Sequence, residues 1–252
     1  MELNTILVTQ ARTGSTRLPG KILKEVRGKS LLEIHLERLK KCNEVSKIIV
    51  ATTDKPQDEI IYKRTIDLGL LASKGSEHNV LDRFYQAVKE YKPDWIVRLT
   101  SDCPLIDPTL VDDIILYVQN KDVDYGSNIL VENFPDGQDV EVFKFSALES
   151  AWNNANLMSD KEHVTPYIRK NSDFNGGNLF SAVNFPCHSD YSKIRMTVDE
   201  FSDLELITIL IDDLGIDKSW EEYVDYIIKN KLTKINSSII RNEGYLKSVK
   251  ND

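Results

Sequence analysis

The chain holds only three cysteines and four histidines in 252 residues. Cys42, Cys103 and Cys187 are odd in number and far apart, with no Cys-x-x-Cys. A disulfide framework or a zinc site of ordinary spacing is therefore not expected. His35, His78, His163 and His188 form no i, i+4 pair. No apolar run nears the ~20 residues that cross a bilayer, so membrane insertion is not expected. Met1-Glu2-Leu3-Asn4 lacks the basic start and apolar run of a signal peptide, which makes a cytoplasmic location the expectation. Positive charge is also short: 32 Lys+Arg against 40 Asp+Glu leave a net charge of −8. A general nucleic-acid binder needs a basic field that this chain lacks.

Apolar residues are ample, at 41%, and 29% of residues are charged. That supports one folded domain with a sizeable core and argues against disorder. The charge is uneven. Residues 1–29 hold six cations (Arg12, Arg17, Lys21, Lys24, Arg27, Lys29) against Glu2 and Glu25, a local +4 that leaves −12 on the other 223 residues.

Ile6-Leu7-Val8 reads as a buried strand running into a Gly/Ser/Pro loop. Leu32, Leu36 and Leu39 recur at helical spacing, and Lys47 to Thr53 is a β-branched strand. Asp58 to Leu68 is a helix stopped by Gly69; Val80, Phe84, Ala87, Val88 and Tyr91 share a helical face. Trp95 to Leu99 is the next strand, and Asp107-Pro108 opens a helix as N-cap and first residue. This alternation predicts an α/β fold with a mostly parallel central sheet flanked by helices. Further strands are expected at Val140–Phe143, Leu179–Val183 and Ile194–Val198. Capping boxes are expected at Ser159/Glu162, Ser202/Glu205 and Ser219/Glu222, with Pro166 kinking the helix that follows Ser159. The expected organisation is one domain, with 1–120 and 195–230 as its core, 121–194 as a smaller mixed substrate-handling insertion and 231–252 as a tail.

The loop after the first strand reads Gln10-Ala11-Arg12-Thr13-Gly14-Ser15-Thr16-Arg17-Leu18-Pro19-Gly20-Lys21. It is neither a Walker A nor a Gly-x-Gly-x-x-Gly motif. It still carries what a polyphosphate needs. Gly14 and Gly20 let backbone approach, Ser15 can donate, and Arg12, Arg17 and Lys21 bring three cations within ten residues. A solvated basic turn is the competing interpretation. Asp102 and Asp199 each follow an expected strand. If those strands are neighbours, both carboxylates can converge on one Mg²⁺, which favours one or two carboxylates plus phosphate oxygens. Turn and cap roles are the alternative.

Gln10 to Leu23 is similar to the Ala-Arg-x-x-Ser-x-Arg-Leu-Pro-Gly-Lys-x-Leu signature of CMP-KDO synthetase. The chain more closely resembles the spore-coat polysaccharide cytidylyltransferase family. That resemblance includes Gly75-Ser76-Glu77, Val80-Leu81-Asp82-Arg83 and Arg98 to Leu105. It continues through Tyr125-Gly126-Ser127-Asn128, Phe134 to Gly137, Asp139 to Phe143 and Glu162 to Ile168, and closes with Arg195 to Asp199 and Arg241 to Leu246. It implies a nucleotide-diphosphosugar transferase (GT-A-like) fold, CTP as co-substrate, Mg²⁺ and a homodimer, with 1–120 and 195–230 as the nucleotide-binding core and 121–194 as the acceptor-binding and dimerisation region. Ala11, Arg12, Gly14, Ser15, Arg17, Lys21, Ser76 and Arg98 would then surround CTP, with Arg12 and Lys21 neutralising the leaving pyrophosphate. Asp102 and Asp199 would hold the metal. Acceptor candidates are Tyr125, Ser127, Asn128, Asp139, Glu141, His163, Arg169 and Arg195, with Arg98, Arg169 or Arg195 as the clamp for an acidic sugar. One departure from the family pattern is Gln138, where Leu is expected.

Three alternatives stand beside this one. A GT-A glycosyltransferase would carry Asp-x-Asp at a strand end, whereas Asp122-x-Asp124 lies beyond a helix. A nucleotidyltransferase acting on a phosphorylated small molecule would give a CDP product. A non-catalytic nucleotide-binding protein would not need Asp102, Asp199 and Lys21 together.

Overall fold

The computed structural model describes residues 3–250 and 252. Met1 and Glu2, on which part of the expectation about the N-terminus rests, lie outside the described residues.

The β-branched runs become strands. These are β1 (Thr5–Gln10), β2 (Glu25–Val26), β3 (Lys29–Ser30), β4 (Lys47–Thr53), β5 (Leu71–Gly75), β6 (Trp95–Thr100), β7 (Tyr125–Ser127), β8 (Glu141–Lys144) and β9 (Ala182–Asn184). The 3.6-period segments become helices: α1 (Leu31–Leu39), α2 (Glu59–Asp67), α3 (Val80–Val88), α4 (Pro108–Lys121), α5 (Phe145–Asn154), α6 (Met158–His163), α7 (Pro166–Lys170), α8 (Phe201–Leu214), α9 (Trp220–Lys229) and α10 (Glu243–Val249). Seven strands form one sheet in the order β5-β4-β1-β6-β8-β7-β9, and β2 with β3 makes a small hairpin. β1 pairs in parallel with β4 and β6, and β4 with β5. β8 runs antiparallel to β6 and β7, and β9 is parallel to β7.

Successive side chains of a strand face opposite ways, and β1 shows the consequence. Leu7 enters one apolar core with α1, α4, α8 and α9; Ile6 and Val8 enter a second with α3 and α5. A sheet buried on both faces needs continuous apolar strands, as in the segments Ile6–Val8 and Ile48–Val50.

The mostly parallel α/β fold is as expected; several local expectations are corrected. Residues 194–198 form no sheet strand. Their extended backbone makes one bridge, Arg195 with Asp136, and spends its N–H groups on the loop carbonyls of Asp136 (from Met196) and Asp102 (from Val198). Gly137 permits that approach: at φ +105°, a Cβ there would sit 2.7 Å from Met196 C and Thr197 N. The box opening α8 is Glu200 with Asp203, not Ser202 with Glu205. Ser159 caps nothing, because α6 begins at Met158 and Leu157 holds the cap position. Pro166 kinks no helix; it occupies the first turn of α7, where its missing N–H costs nothing. The strand expected at 179–183 is β9, shifted toward Asn184. The box at Ser219 and Glu222 is present. Residues 121–194 are not set apart from the core, since β7, β8 and β9 extend the same sheet.

Two buried basic groups tie the helices to the sheet's working edge. Arg38 donates to the carbonyls of Ile106, Ile216 and Lys218. His35 Nδ1 lies 2.8 Å from the Cys103 carbonyl and Nε2 lies 3.0 Å from Thr9 Oγ1. A neutral ring with its proton on Nδ1 satisfies both contacts, as donor to Cys103 and acceptor from Thr9. Burial pushes the His35 pKa down to about 4. The neutral ring therefore contributes stability that is fully present above pH ~6.5 and is lost as pH falls toward the folded value. Chemical denaturation at pH 7 and pH 5 should show wild type losing more stability than His35→Gln, within a full-range limit of about 3 kcal/mol. Equal losses would remove His35 from the acid response.

Candidate active site

The working edge is the carboxyl end of the parallel strands, where open α/β sheets bind ligands. β1 delivers the chain into the Ala11–Lys21 loop. Thr13 anchors it: its N–H and hydroxyl both donate to Asp58 Oδ1, at 2.7 and 2.6 Å. The loop closes on itself through Gly20 N–H to Thr13 C=O (3.2 Å), and Gly20, at φ +64°, turns it into Lys21. Asp58 was read in the sequence only as a helix start; nothing local links it to a residue 45 positions away.

Asp102 follows β6, and Asp199 ends the extended 194–198 segment. Their carboxylates converge on the Lys21 ammonium, with Nζ 2.6 Å from Asp102 Oδ2 and 2.8 Å from Asp199 Oδ1. Two acids from distant sequence thus share one cation. Burial opposes charge on both sides, but the mutual field wins: the Lys21 pKa is raised, and Asp102 is held down at about 2. Arg195 steadies the second acid, donating to Asp199 Oδ2 at 2.8 Å and to Asp203 Oδ1 at 2.9 Å, and pairing with Asp136. Arg17 lies 3.0 Å from Asp199 and 3.3 Å from Glu243 of α10.

Two adjoining cavities flank this cluster. The first, about 600 Å³, is lined by the loop residues Ala11, Arg12, Gly14, Ser15, Arg17 and Lys21, together with Asp102 and Asp199. The second, about 270 Å³, shares Arg17, Asp102, His163 and Asp199 and adds Arg98, Asp139, Glu141, Arg169 and Arg195. The structure therefore brings together most of the residues singled out in the sequence.

Others it places elsewhere. Ser76 lines neither cavity, and its hydroxyl accepts the Asn79 N–H. Arg98 faces the second cavity rather than the first, paired with Glu141. Tyr125, Ser127 and Asn128 are buried on or beside β7 and line neither cavity. Their polar groups serve the fold: Tyr125 donates to Glu141, Ser127 Oγ accepts the Ile129 N–H, and Asn128 holds Gln138 and Val140. Glu141, one of the acceptor candidates, lies at the cavity wall with both oxygens engaged by Arg98, Tyr125 and Thr165. Burial alone would raise its pKa; Arg98, Arg169 and those hydroxyls outweigh it and hold it below the usual range. Cys103 is buried with its thiol pKa pushed up, which suits packing rather than nucleophilic attack. Asp122 and Asp124 face Lys144 and Ser181, away from both cavities.

The C-terminal tail is a wall that local sequence signals do not reveal. Glu243, Gly244 and Lys247 line the first cavity; Ile240, Asn242 and Tyr245 line the second. His163 accordingly packs on Tyr245 and pairs with Ser248, and burial with the Arg98 charge lowers its pKa to about 4.

Among the described residues no group of three or more His, Cys, Asp or Glu makes a ready metal cage. Asp102 and Asp199 offer two hard oxygens around one point, a set that suits Mg²⁺ when phosphate and water complete the shell. Lys21 covers that point, so Mg²⁺ alone must displace an ammonium. Thermal melts should show Lys21→Met gaining more melting temperature from millimolar MgCl₂ than wild type. Equal gains would deny that the two carboxylates share a cation site.

Comparison with known proteins shows the family. A cytidylyltransferase family model covers residues 6–234. An uncharacterized protein of Methanocaldococcus jannaschii is 40% identical over 248 residues, spanning 96% of this chain and 98% of its own. The spore coat polysaccharide biosynthesis protein SpsF of Bacillus subtilis is 34% identical over 229 residues, spanning 84% and 89%. A solved cytidylyltransferase from Leptospira borgpetersenii superposes with a TM-score of 0.83 at 31% identity, over 96% of this chain and 100% of that one. A CMP:2-keto-3-deoxy-manno-octonic acid synthetase solved with CTP (TM-score 0.60, 18% identity, 83% and 98% covered) shares the fold. With a family match across most of its length and this nucleotidyltransferase fold, the chain belongs to the cytidylyltransferase family.

Proposed function

We propose that the chain transfers CMP from CTP to a hydroxyl of an acidic sugar, releasing pyrophosphate, in the assembly of a surface polysaccharide. The observation that carries this is the junction of two cavities at Asp102, Asp199 and Arg17. One cavity has a cationic, glycine-containing loop for a triphosphate; the other is a compact polar chamber for an acceptor. The name of the Bacillus relative supports the polysaccharide assignment. Such a reaction needs positioning and charge neutralisation more than covalent catalysis. Arg12, Arg17 and Lys21 would neutralise the triphosphate and the departing pyrophosphate. Asp102 and Asp199 would hold Mg²⁺, which when bound supplies positive charge beside the reacting phosphate.

The anionic character of the acceptor is favoured by Arg169. Of the three arginines considered for a carboxylate clamp, Arg195 is spent on Asp136, Asp199 and Asp203, and Arg98 on Glu141. Arg169 makes no side-chain hydrogen bond or ion pair among the described residues, and its guanidinium rests against the Tyr245 ring at 5.8 Å. A phosphorylated acceptor would also satisfy it, and product mass distinguishes the two.

Incubation of CTP, MgCl₂ and a library of sugar acids and sugar phosphates, read by mass spectrometry, should give a CMP-linked sugar acid. A CDP-linked product would select the alternative, and no product would sink the proposal. Asp102→Asn and Asp199→Asn should each abolish pyrophosphate release while circular dichroism stays unchanged; near-normal release by either removes it from the metal site. Arg169→Met should raise the acceptor KM at least ~10-fold, the lower range for losing a charged hydrogen bond.

A further inference from the structure

Seven carboxylates line the second cavity, and each has a partner on at least one oxygen. Asp102 and Asp199 share Lys21. Asp136 pairs with Arg195, and Glu141 accepts from three donors. Glu243 binds Lys247 and Arg17, and the half-exposed Glu132 accepts from Asn242. Asp136 and Asp139 each keep one oxygen without a hydrogen bond among the described residues, Asp136 being held through Oδ2 by Arg195 and Asp139 through Oδ1 by Arg241 Nη2 at 2.7 Å. Asp139 is the more open of the two, with its side chain 29% exposed against 12% for Asp136.

The backbone around Asp139 is locked from both sides. The Asn128 amide donates to the Gln138 carbonyl at 2.7 Å and accepts the Val140 N–H at 2.9 Å. Gln138, the departure noted in the sequence, uses its own amide to bridge the Leu105 carbonyl and the Asp107 N–H, each at 2.9 Å. Asn128 and Gln138 therefore act on the cavity indirectly, by fixing the residue between Gln138 and Val140. A fixed carboxylate with one free oxygen, lining the same cavity as Asp102, is placed to handle a proton.

We propose that Asp139 is the general base that takes the proton from the acceptor hydroxyl during cytidylyl transfer. The inference rests on the CTP-dependent reaction proposed above. As the acceptor oxygen forms its bond to the α-phosphorus, the bond from that phosphorus to the β-phosphate bridging oxygen breaks. Pyrophosphate leaves with that electron pair. The hydroxyl proton passes to Asp139 Oδ2 and then to solvent. Arg241, from the C-terminal tail, is the positioning residue.

The electrostatic surroundings fit the role. Burial raises the Asp139 pKa to about 7; Arg241 opposes the rise, and Asp136, Glu141 and Glu132 add to it. Cys103, on the turn after β6, also feels the Asp139 charge, and burial pushes its thiol pKa up, which keeps it neutral. A base with a value near neutrality is half deprotonated at working pH and can still accept a proton effectively. Activity should rise with pH through this range, because only the carboxylate form accepts.

The test uses the full-length protein with CTP, MgCl₂ and the acceptor identified by the library above. Asp139→Asn should lower kcat about 10²- to 10⁴-fold, leave the CTP KM unchanged and erase the acid limb of the pH–rate profile. Asp139→Glu should recover part of the rate. Arg241→Gln, which removes the nearest cation, should move the midpoint of that limb to higher pH. Wild-type rate and profile in Asp139→Asn overturn the assignment while leaving cytidylyl transfer intact. If Asp139→Asn fails to fold, an unmoved midpoint in Arg241→Gln overturns it instead. Absence of product from wild type with every acceptor overturns the parent reaction, and this assignment with it.

Discussion

Two like-charged carboxylates cannot share a pocket unless a cation holds them. Asp102 and Asp199 meet at one point because the Lys21 ammonium sits between them. The surrounding structure serves that meeting. β6 carries Asp102 to the sheet edge; the Asp136–Gly137 turn and Arg195 bring in Asp199; and the Gly20 turn aims Lys21. Removing one partner from such a buried pair typically costs ~3–5 kcal/mol, because the other charge is left uncompensated. The same constraint readies the site for function. A position that stabilises an ammonium also suits a divalent cation arriving with a polyphosphate.

The second cavity is organised differently. It is a balanced polar network rather than a basic cleft. Glu141 is pinned by Arg98, Tyr125 and Thr165, and Arg195 by three aspartates. Buried charges of this kind are tolerable only when each is paired. The pairing leaves few free groups, and those that remain carry the chemical information. Among the described residues Arg169 has no ion-pair partner, and Asp139, more exposed than Asp136, keeps one open oxygen. One suits an anionic group on an acceptor and the other suits a proton. Both lie against the tail, through Tyr245 and Arg241, so residues beyond the matched family region complete the chamber.

Much of the scaffold was legible in local pattern. Apolar β-branched runs marked β1, β4 and β6; the Asp107-Pro108 cap opened α4; and the Ser219/Glu222 box opened α9. These signals are short-range, so neighbouring residues suffice to read them. The errors share a cause too. Ile194–Val198 has strand composition, yet its N–H groups find loop carbonyls instead of a strand. Ser159 and Glu162 have box spacing, but tertiary contacts claim the serine for Asp252 and the glutamate for Ser248. Spacing permits a cap; competition for the donor decides whether it forms.

By itself the sequence determined the alternating α/β pattern, the cationic loop at residues 12–21, and the two acids that follow extended segments. It could do so because each depends on residue type and near-neighbour spacing. Only the tertiary structure decided which groups were free to act. It buried Tyr125, Ser127 and Asn128 in support of the fold, joined Thr13 to Asp58, and laid the tail across both cavities. Those outcomes turn on which donor meets which acceptor, from 10 residues apart for Asn128 and Gln138 to 226 for Arg17 and Glu243. A side chain's chemistry is written in the sequence, but whether that chemistry is already spent on a partner is settled only by packing.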